Sequence, residues 1–467
     1  MRPAAWCVVA AALVLSGCAT FSDDGGFGRV ADLTRERTGQ APRWPRTPAE
    51  VQAVDARVAD VLAQPLSADG AVEIALLNNP GLQAGFHTLG IAESDLVRAG
   101  RLPNPTFSFK NLAGGGHREI ERAILFDVLR ILTMPLALEA EEARFRETQF
   151  RVAGEAVAVA TEARRAYFNA VASAEIAKYY EQVKEAADTS AELAKRMVQA
   201  GNFSRLAQMR EQAFYADAAA QLARARHQAT ADRERLVRVL GLAGGASLRL
   251  PERLPDPPKA AIEPRDAEQT ALDRRLDVLQ VKRETEALAK SLDLTRTTGF
   301  INVLQVGYAN KSSTGDAREN GYEIELELPL FDFGTTRVAR AEASYLQAVK
   351  QTAAVAVRAQ SEAREAYSAY RTSYDLARHY RDEIVPLRKR ISEEMLLRYN
   401  GMLIGVFELL ADAREQVATV AASVEALRDF WLADTDLQVA LTSASPGATN
   451  FSPPAGTRQA SAAGGGH

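Results

Sequence analysis

The sequence predicts a mainly α-helical chain that carries membrane β-strands, arranged as a duplicated unit of helix, two strands and long helical hairpin. Three observations carry this. Two Ala-, Glu- and Arg-rich stretches, from Pro135 to about Ala200 and from about Thr335 to Asn400, are far longer than a globular core needs. Short segments ahead of each stretch alternate apolar and polar residues with period two. The second half repeats motifs of the first at a fixed offset.

Composition sets outer limits. The chain has 467 residues, 25% of them charged, with a formal net charge of -4. That mild acidity gives no basic footprint, so no nucleic-acid partner is expected. Past the N-terminus no apolar run is long enough for a membrane helix, so a membrane role needs a barrel or a lipid. Cys7 and Cys18 both lie in the first apolar segment, which rules out a disulfide framework. Arg2, the apolar run Ala4 to Leu15 and the ending Leu15-Ser16-Gly17-Cys18 match a bacterial lipobox. Residues 1–17 are therefore expected to be a signal peptide and Cys18 the lipidated first residue. A plain signal peptide with a stray cysteine is the alternative. Ala19, not aspartate, favours the outer membrane by analogy with lipoprotein sorting.

Residues 18–66 read as a lipidated, extended tether, with Gly25-Gly26 and Pro42, Pro45 and Pro48. The first repeat is expected over 67–245. Ser67 can cap a helix reaching Gly100, with Ile74, Leu77, Leu82, Phe86 and Leu89 as its apolar stripe. Arg101-Leu102-Pro103-Asn104-Pro105 stops it. Strand signals fall at about 105–132. Phe107 and Phe109 alternate with Thr106, Ser108 and Lys110; Ile120, Ile124 and Phe126 oppose Glu119, Glu121 and Asp127. Gly114-Gly115-Gly116 lacks the Lys-Ser/Thr of a phosphate loop and reads as the turn between these strands. A helical hairpin follows at about 135–240, its first arm on the order of 100 Å long. A Pro-rich linker occupies 246–264. The second repeat, 265–442, has a helix to Leu294, strands at about 299–331 and a hairpin over 335–442, in which Pro386 should kink or adjust the packing. The Ser-, Gly- and Ala-rich tail 443–467 is expected to be disordered.

The duplication is visible residue by residue. Glu162-Ala163-Arg164 matches Glu362-Ala363-Arg364, and Tyr167, Ser173 and Gly201 match Tyr367, Ser373 and Gly401, all at an offset of 200. The proline junctions Pro135 and Pro329 are offset by 194, so the copies differ near their strand–helix corners.

In the last strand Tyr322, Ile324, Leu326 and Leu328 alternate with Glu323, Glu325 and Glu327, so the glutamates share one face. Phe300, Leu304, Val306 and Tyr308 show a similar parity in the strand before it. A soluble sandwich would turn the acidic face to water. An outer-membrane barrel would turn it to the lumen and the apolar face to lipid. Four strands cannot close a useful pore, and an open edge is not tolerated in lipid, so several chains must share one barrel.

At the hairpin tips, Gly201 and Gly401 suit the positive φ of a helix C-terminus. Gly201, Asn202, Phe203, Gly401, Met402 and Leu403 are the candidate partner-facing rim, because apolar side chains at an exposed tip need a cover. A bare turn is the alternative. Glu408, Asp412 and Glu415 share a helical face, which on spacing alone reads as solvated surface. His87, His117, His227, His379 and His467 are scattered without metal-ligand spacing. No catalytic constellation, cofactor or metal is expected, and the chain is not expected to be an enzyme.

The order Asn78-Asn79-Pro80, Gly100 to Pro105, Leu328-Pro329-Leu330-Phe331-Asp332-Phe333-Gly334 with Arg337, then Gly201 and Gly401 paired by the repeat, resembles the TolC-like outer-membrane factors. The resemblance runs from about Ser67 to Thr442. It implies a homotrimer whose twelve-stranded barrel continues into a periplasmic α-helical barrel. It also implies a periplasmic adaptor (membrane fusion) protein and an inner-membrane pump as partners, and Glu408 and Asp412 as candidates for a periplasmic gate. The first repeat departs from the pattern, with Met134-Pro135-Leu136 and no Phe-Asp-x-Gly corner. The competing readings are a periplasmic adaptor, with one hairpin flanked by small β domains, and a coiled-coil lipoprotein with sustained heptads.

Overall fold

The computed structural model describes residues 20–242, 248–263, 266–298, 303–327 and 331–445. The signal segment, Cys18, Leu328-Pro329-Leu330 and the tail beyond residue 445 lie outside the described residues.

Residues 20–64 are not extended. They form α1 (Phe27–Thr38) and α2 (Pro48–Leu62). Val30 and Leu33 on α1, and Val54 and Val58 on α2, sit one turn apart and are buried in the main core. Pro48 starts a helix here, at its first turn, behind a capping box between Thr47 and Glu50. Arg37 then donates to the carbonyls of Thr442 and Arg274, tying this strap to both the start and the end of the second repeat.

The helix expected from Ser67 to Gly100 is two: α3 (Ala68–Asn78) and α4 (Pro80–Ala99). Ser67 caps the first and Asn79 the second. The five stripe residues Ile74, Leu77, Leu82, Phe86 and Leu89 are all buried in one core, against Val152, Ala156, Ala160 and Ala163 of the long helix. Two strands follow, β1 (Thr106–Gly114) and β2 (His117–Asp127), with the turn at Gly115-Gly116. Helix α5 (Val128–Gln199) begins at Val128, not Pro135, because the Asp127 carboxylate caps the amide of Arg130. Its 72 residues span on the order of 100 Å. Helix α6 (Arg205–Val239) returns alongside it.

The linker is held rather than loose. Trp431 Nε1 donates to the Pro255 carbonyl, the Tyr374 hydroxyl to that of Pro258, and Tyr370 accepts from the Ile262 amide. Helices α7 (Ala267–Arg274) and α8 (Leu276–Thr298) break at Arg275, where one helix was expected. Strands β3 (Leu304–Ser313) and β4 (Glu319–Leu326) extend past the apolar alternation, because polar residues pair there too: Asn310 opposite Asn320, Lys311 opposite Glu319. The second hairpin is α9 (Thr335–His379), a π-helical turn (Tyr380–Ile384), α10 (Val385–Asn400) and α11 (Val406–Thr442). Pro386 sits in the first turn of α10, and the π-turn just ahead of it takes up the missing donor. Ser443, expected in the disordered tail, is buried, and its carbonyl accepts from the Asp277 amide.

The duplication reaches into the ion pairs. Arg164 binds Asp69 at 2.6 Å in the first repeat, and Arg364 binds Glu268 at 2.9 Å in the second.

Candidate functional site

The four strands form one antiparallel sheet in the order β1-β2-β3-β4. The β2–β3 pairing joins the two repeats. Strands β1 and β4 are left as open edges within the chain.

Residues directly across an antiparallel ladder share a face, so the registers sort every strand residue. Phe107, Ile124, Tyr308 and Tyr322 form one row across all four strands. Phe126, Val306 and Ile324 form the next, and Leu304 and Leu326 the one after. These side chains are largely exposed, Tyr322 at 83%. An exposed apolar band of this extent is a surface awaiting lipid or protein. The opposite face carries all six carboxylates of the four strands: Glu119, Glu121, Asp127, Glu319, Glu323 and Glu325.

Glu323 and Glu325 thus share a polar face with Asp127 and Gln305, as their alternation implied. Glu327 lies just past the end of β4, with its amide bonded to the Val303 carbonyl. Two cations on this face were not anticipated. Lys311 contacts Glu119 at 2.5 Å and Glu121 at 3.8 Å, and Lys110 lies 3.7 Å from Glu121. The parity of Lys110 against Phe109 was the available signal; the Lys311 pairing needed the register.

At the first tip Gly201 has φ 79, as expected of a helix C-terminus. Its amide bonds Val198 O and the Asn202 amide bonds Met197 O, the paired bonds of a Schellman motif. At the second tip the left-handed residue is Met402 (φ 58), not Gly401 (φ -80). The same two bonds recur one residue later, from Met402 to Tyr399 O and from Leu403 to Arg398 O. Phe203 is half-buried, whereas Asn202 and Leu403 are exposed and Met402 is 93% exposed.

Glu408 and Asp412 do not stand together. Glu408 is exposed and its carboxylate accepts from the Gly405 amide at 2.9 Å, capping the start of α11. Asp412 is buried between α10 and α11, accepting from Ser392 Oγ at 2.6 Å with Arg388 at 3.6 Å. Arg388 also pairs with Glu415. The carboxylates of Asp412 and Glu415 therefore face a cation of the neighbouring helix within the same chain.

Among the described residues no helix is long and apolar enough to cross a membrane, and no group of three His, Cys, Asp or Glu is placed to hold a metal. No protein-family model matches the chain, and no curated protein does. Solved structures do. The outer-membrane channel OprN matches with a TM-score of 0.69 at 18% identity, covering 88% of this chain and 95% of its own. The Campylobacter jejuni CmeC outer membrane channel matches with a TM-score of 0.68 at 16% identity, covering 91% and 92%. This chain has the fold of these outer-membrane channels. The open state of the Neisseria gonorrhoeae MtrE outer membrane channel shares that fold at a TM-score of 0.65 and 16% identity, over 79% of this chain and 88% of its own. At such identities the outer-membrane factor likeness is one of backbone: two long hairpins on a four-stranded sheet.

Proposed function

We propose that this chain is the outer-membrane channel of a tripartite efflux or secretion system. It conducts substrates passively from a periplasmic adaptor and an inner-membrane pump to the outside. One observation carries the reading. A sheet with an apolar outer band, a charged inner face and two open edges continues directly into helices on the order of 100 Å long. Open strand edges cannot face lipid, so copies must complete one barrel. Three copies give twelve strands, as the resemblance implies, with Glu323, Glu325 and Glu327 toward the lumen.

The tips, Gly201 to Phe203 and Gly401 to Leu403, are the proposed adaptor-facing rim, and lipidated Cys18 the proposed anchor. Glu408 and Asp412 are proposed as gate elements of different kinds. Glu408 meets the entrance directly. Asp412 acts through the Arg388 clamp between α10 and α11, which a sliding of these helices would break. The two hairpins, one per repeat, disfavour the adaptor reading, and the sheet disfavours a plain coiled-coil lipoprotein.

The test is the native mass of the detergent-extracted outer-membrane fraction, followed by bilayer conductance of the same sample. A mass of about three protomers with small, cation-selective conductance is expected. Monomers in the inner-membrane or soluble fraction would reject the channel.

A further inference from the structure

The charges on the sheet are sorted by sign as well as by face. All six strand carboxylates point one way, toward the proposed lumen, where Lys110 and Lys311 pair with them. Two arginines point the other way. Arg122 shares a row with Phe109 and Asn310, and Arg118 stands opposite Ala113, one row closer to the hairpin turn than Ile120. Both therefore lie on the face of the apolar band, Arg118 at the end of the sheet away from the helices and Arg122 two rows nearer them, at the middle of β2.

Neither arginine has a carboxylate partner among the described residues. Arg122 donates to Asn310 Oδ1 at 3.2 Å and Arg118 to Asn111 Oδ1 at 3.0 Å. Asn310 Nδ2 and the Tyr308 hydroxyl both donate to Asn320 Oδ1, each at 2.7 Å. Neutral amides thus hold the two guanidinium groups in place and leave their charge uncompensated. A cation on the lipid-facing side of a barrel is costly at the bilayer midplane and nearly free at its interface. The row of Arg122 adjoins that of Tyr308 and Tyr322, and Arg118 lies two rows further out; aromatic girdles mark the membrane boundary in barrels, so the pair runs from that boundary outward.

We infer that Arg118 and Arg122 form an outward-facing docking surface for phosphate-bearing lipid headgroups of the outer leaflet. The inference rests on the barrel reading above. A guanidinium presents a planar fork of donors that matches phosphate oxygens, and basic residues at membrane level recognise anionic headgroups. The acyl chains of the same lipid would lie along Phe107, Ile124 and Tyr308, the row next to Arg122 on the helix side.

The test titrates the full-length protein in uncharged detergent with diphosphorylated lipid A and with its dephosphorylated counterpart, reading bound lipid by native mass spectrometry. Wild type should prefer the phosphorylated lipid. R118Q/R122Q should weaken that binding about thirtyfold, the change that corresponds to about 1 kcal/mol for each arginine near a charged surface. R118K/R122K should keep most of it, and the same spectra report whether each variant still assembles. Equal affinity of wild type for the two lipids, or unchanged affinity in R118Q/R122Q, would overturn the inference. Conductance is read on the same samples, so a failed channel shows as absent current and a failed headgroup site as absent lipid preference.

Discussion

The two repeats turn the same corner with different chemistry. In the first, the break between α3 and α4 is held by neutral amides. Asn78 Nδ2 donates to the carbonyls of Leu240 and Gly241, and Asn79 Nδ2 to that of Val239, all at the end of the returning helix. In the second, the break between α7 and α8 is held by a fully buried arginine. Arg275 binds Asp277 at 2.6 Å and Glu362 at 2.9 Å, with the Ala440 carbonyl of its own returning helix at 3.4 Å. Duplication preserved the path of the backbone and left each copy to find its own clasp.

That contrast orders the expected losses. The largest is for Arg275→Met, which strands two carboxylates beside a buried site. It should destabilise by about 3–5 kcal/mol, read as the thermal midpoint of the detergent-solubilised protein. A loss no greater than that of an exposed ion pair would show that the second corner is as tolerant as the first.

Next is Gly241→Ala. Gly241 has φ 67, and an added Cβ would stand 2.4 Å from the Asn78 carbonyl oxygen, which is backbone and cannot step aside. Left-handed strain alone costs about 1–2 kcal/mol, and the clash adds to it. Asn78→Ala removes two hydrogen bonds while keeping the backbone path, so about 1–3 kcal/mol is expected from the carbonyls it leaves. If Asn78→Ala proves as damaging as Arg275→Met, the neutral and ionic clasps are equivalent after all.

The tips sharpen the comparison at smaller scale. Gly201→Met should lose about 1–2 kcal/mol, with no contact term, since nothing lies within 4 Å of its added Cβ. Met402→Gly should relieve a similar strain, offset by the entropy of glycine. If adaptor pull-down by the Met402→Gly protein weakens at unchanged stability, the strained methionine serves the rim.

The smallest effect concerns Asp434. Burial pushes its carboxyl above the usual range, with Arg164 partly opposing. A raised folded-state pKa means that the ionised form weighs against the native state at neutral pH, and the penalty fades as pH falls through that pKa. Asp434→Asn should raise the thermal midpoint slightly at neutral pH, and the gain should vanish on acidification.

Period and punctuation made the long hairpins and the strand faces legible. Alternation put Glu323 and Glu325 opposite Tyr322 and Ile324 before any register was known. What stayed hidden had weak periodicity or an ambiguous marker. Helices α1 and α2 bury only a few residues each, and Pro48 reads as a breaker until Thr47 and Glu50 are seen as its cap. Asp127 looked like one more polar residue of a strand, although it caps the longest helix of the chain. The second tip was misplaced by one residue because glycine is the usual left-handed residue and Met402 is not. Asp412 could be assigned to a helical face but not to a neighbour, since periodicity does not say which side of α11 packs against Arg388 and Ser392 of the preceding helix.

The π-helical turn at Tyr380–Ile384 has a hereditary meaning. Upstream of it, Tyr167 and Ser173 match Tyr367 and Ser373 at an offset of 200. Downstream, the left-handed residues Gly201 and Met402 and the N-caps Ser204 and Gly405 match at 201. The second copy is one residue longer in between, and the widened turn takes up the difference. An insertion kept as α-helix would rotate everything beyond it by about 100°. Stored as a bulge, the extra residue leaves the helix beyond it close to the orientation it would have without the insertion. Loss of one codon within this turn should therefore be the most forgiving deletion in either long arm.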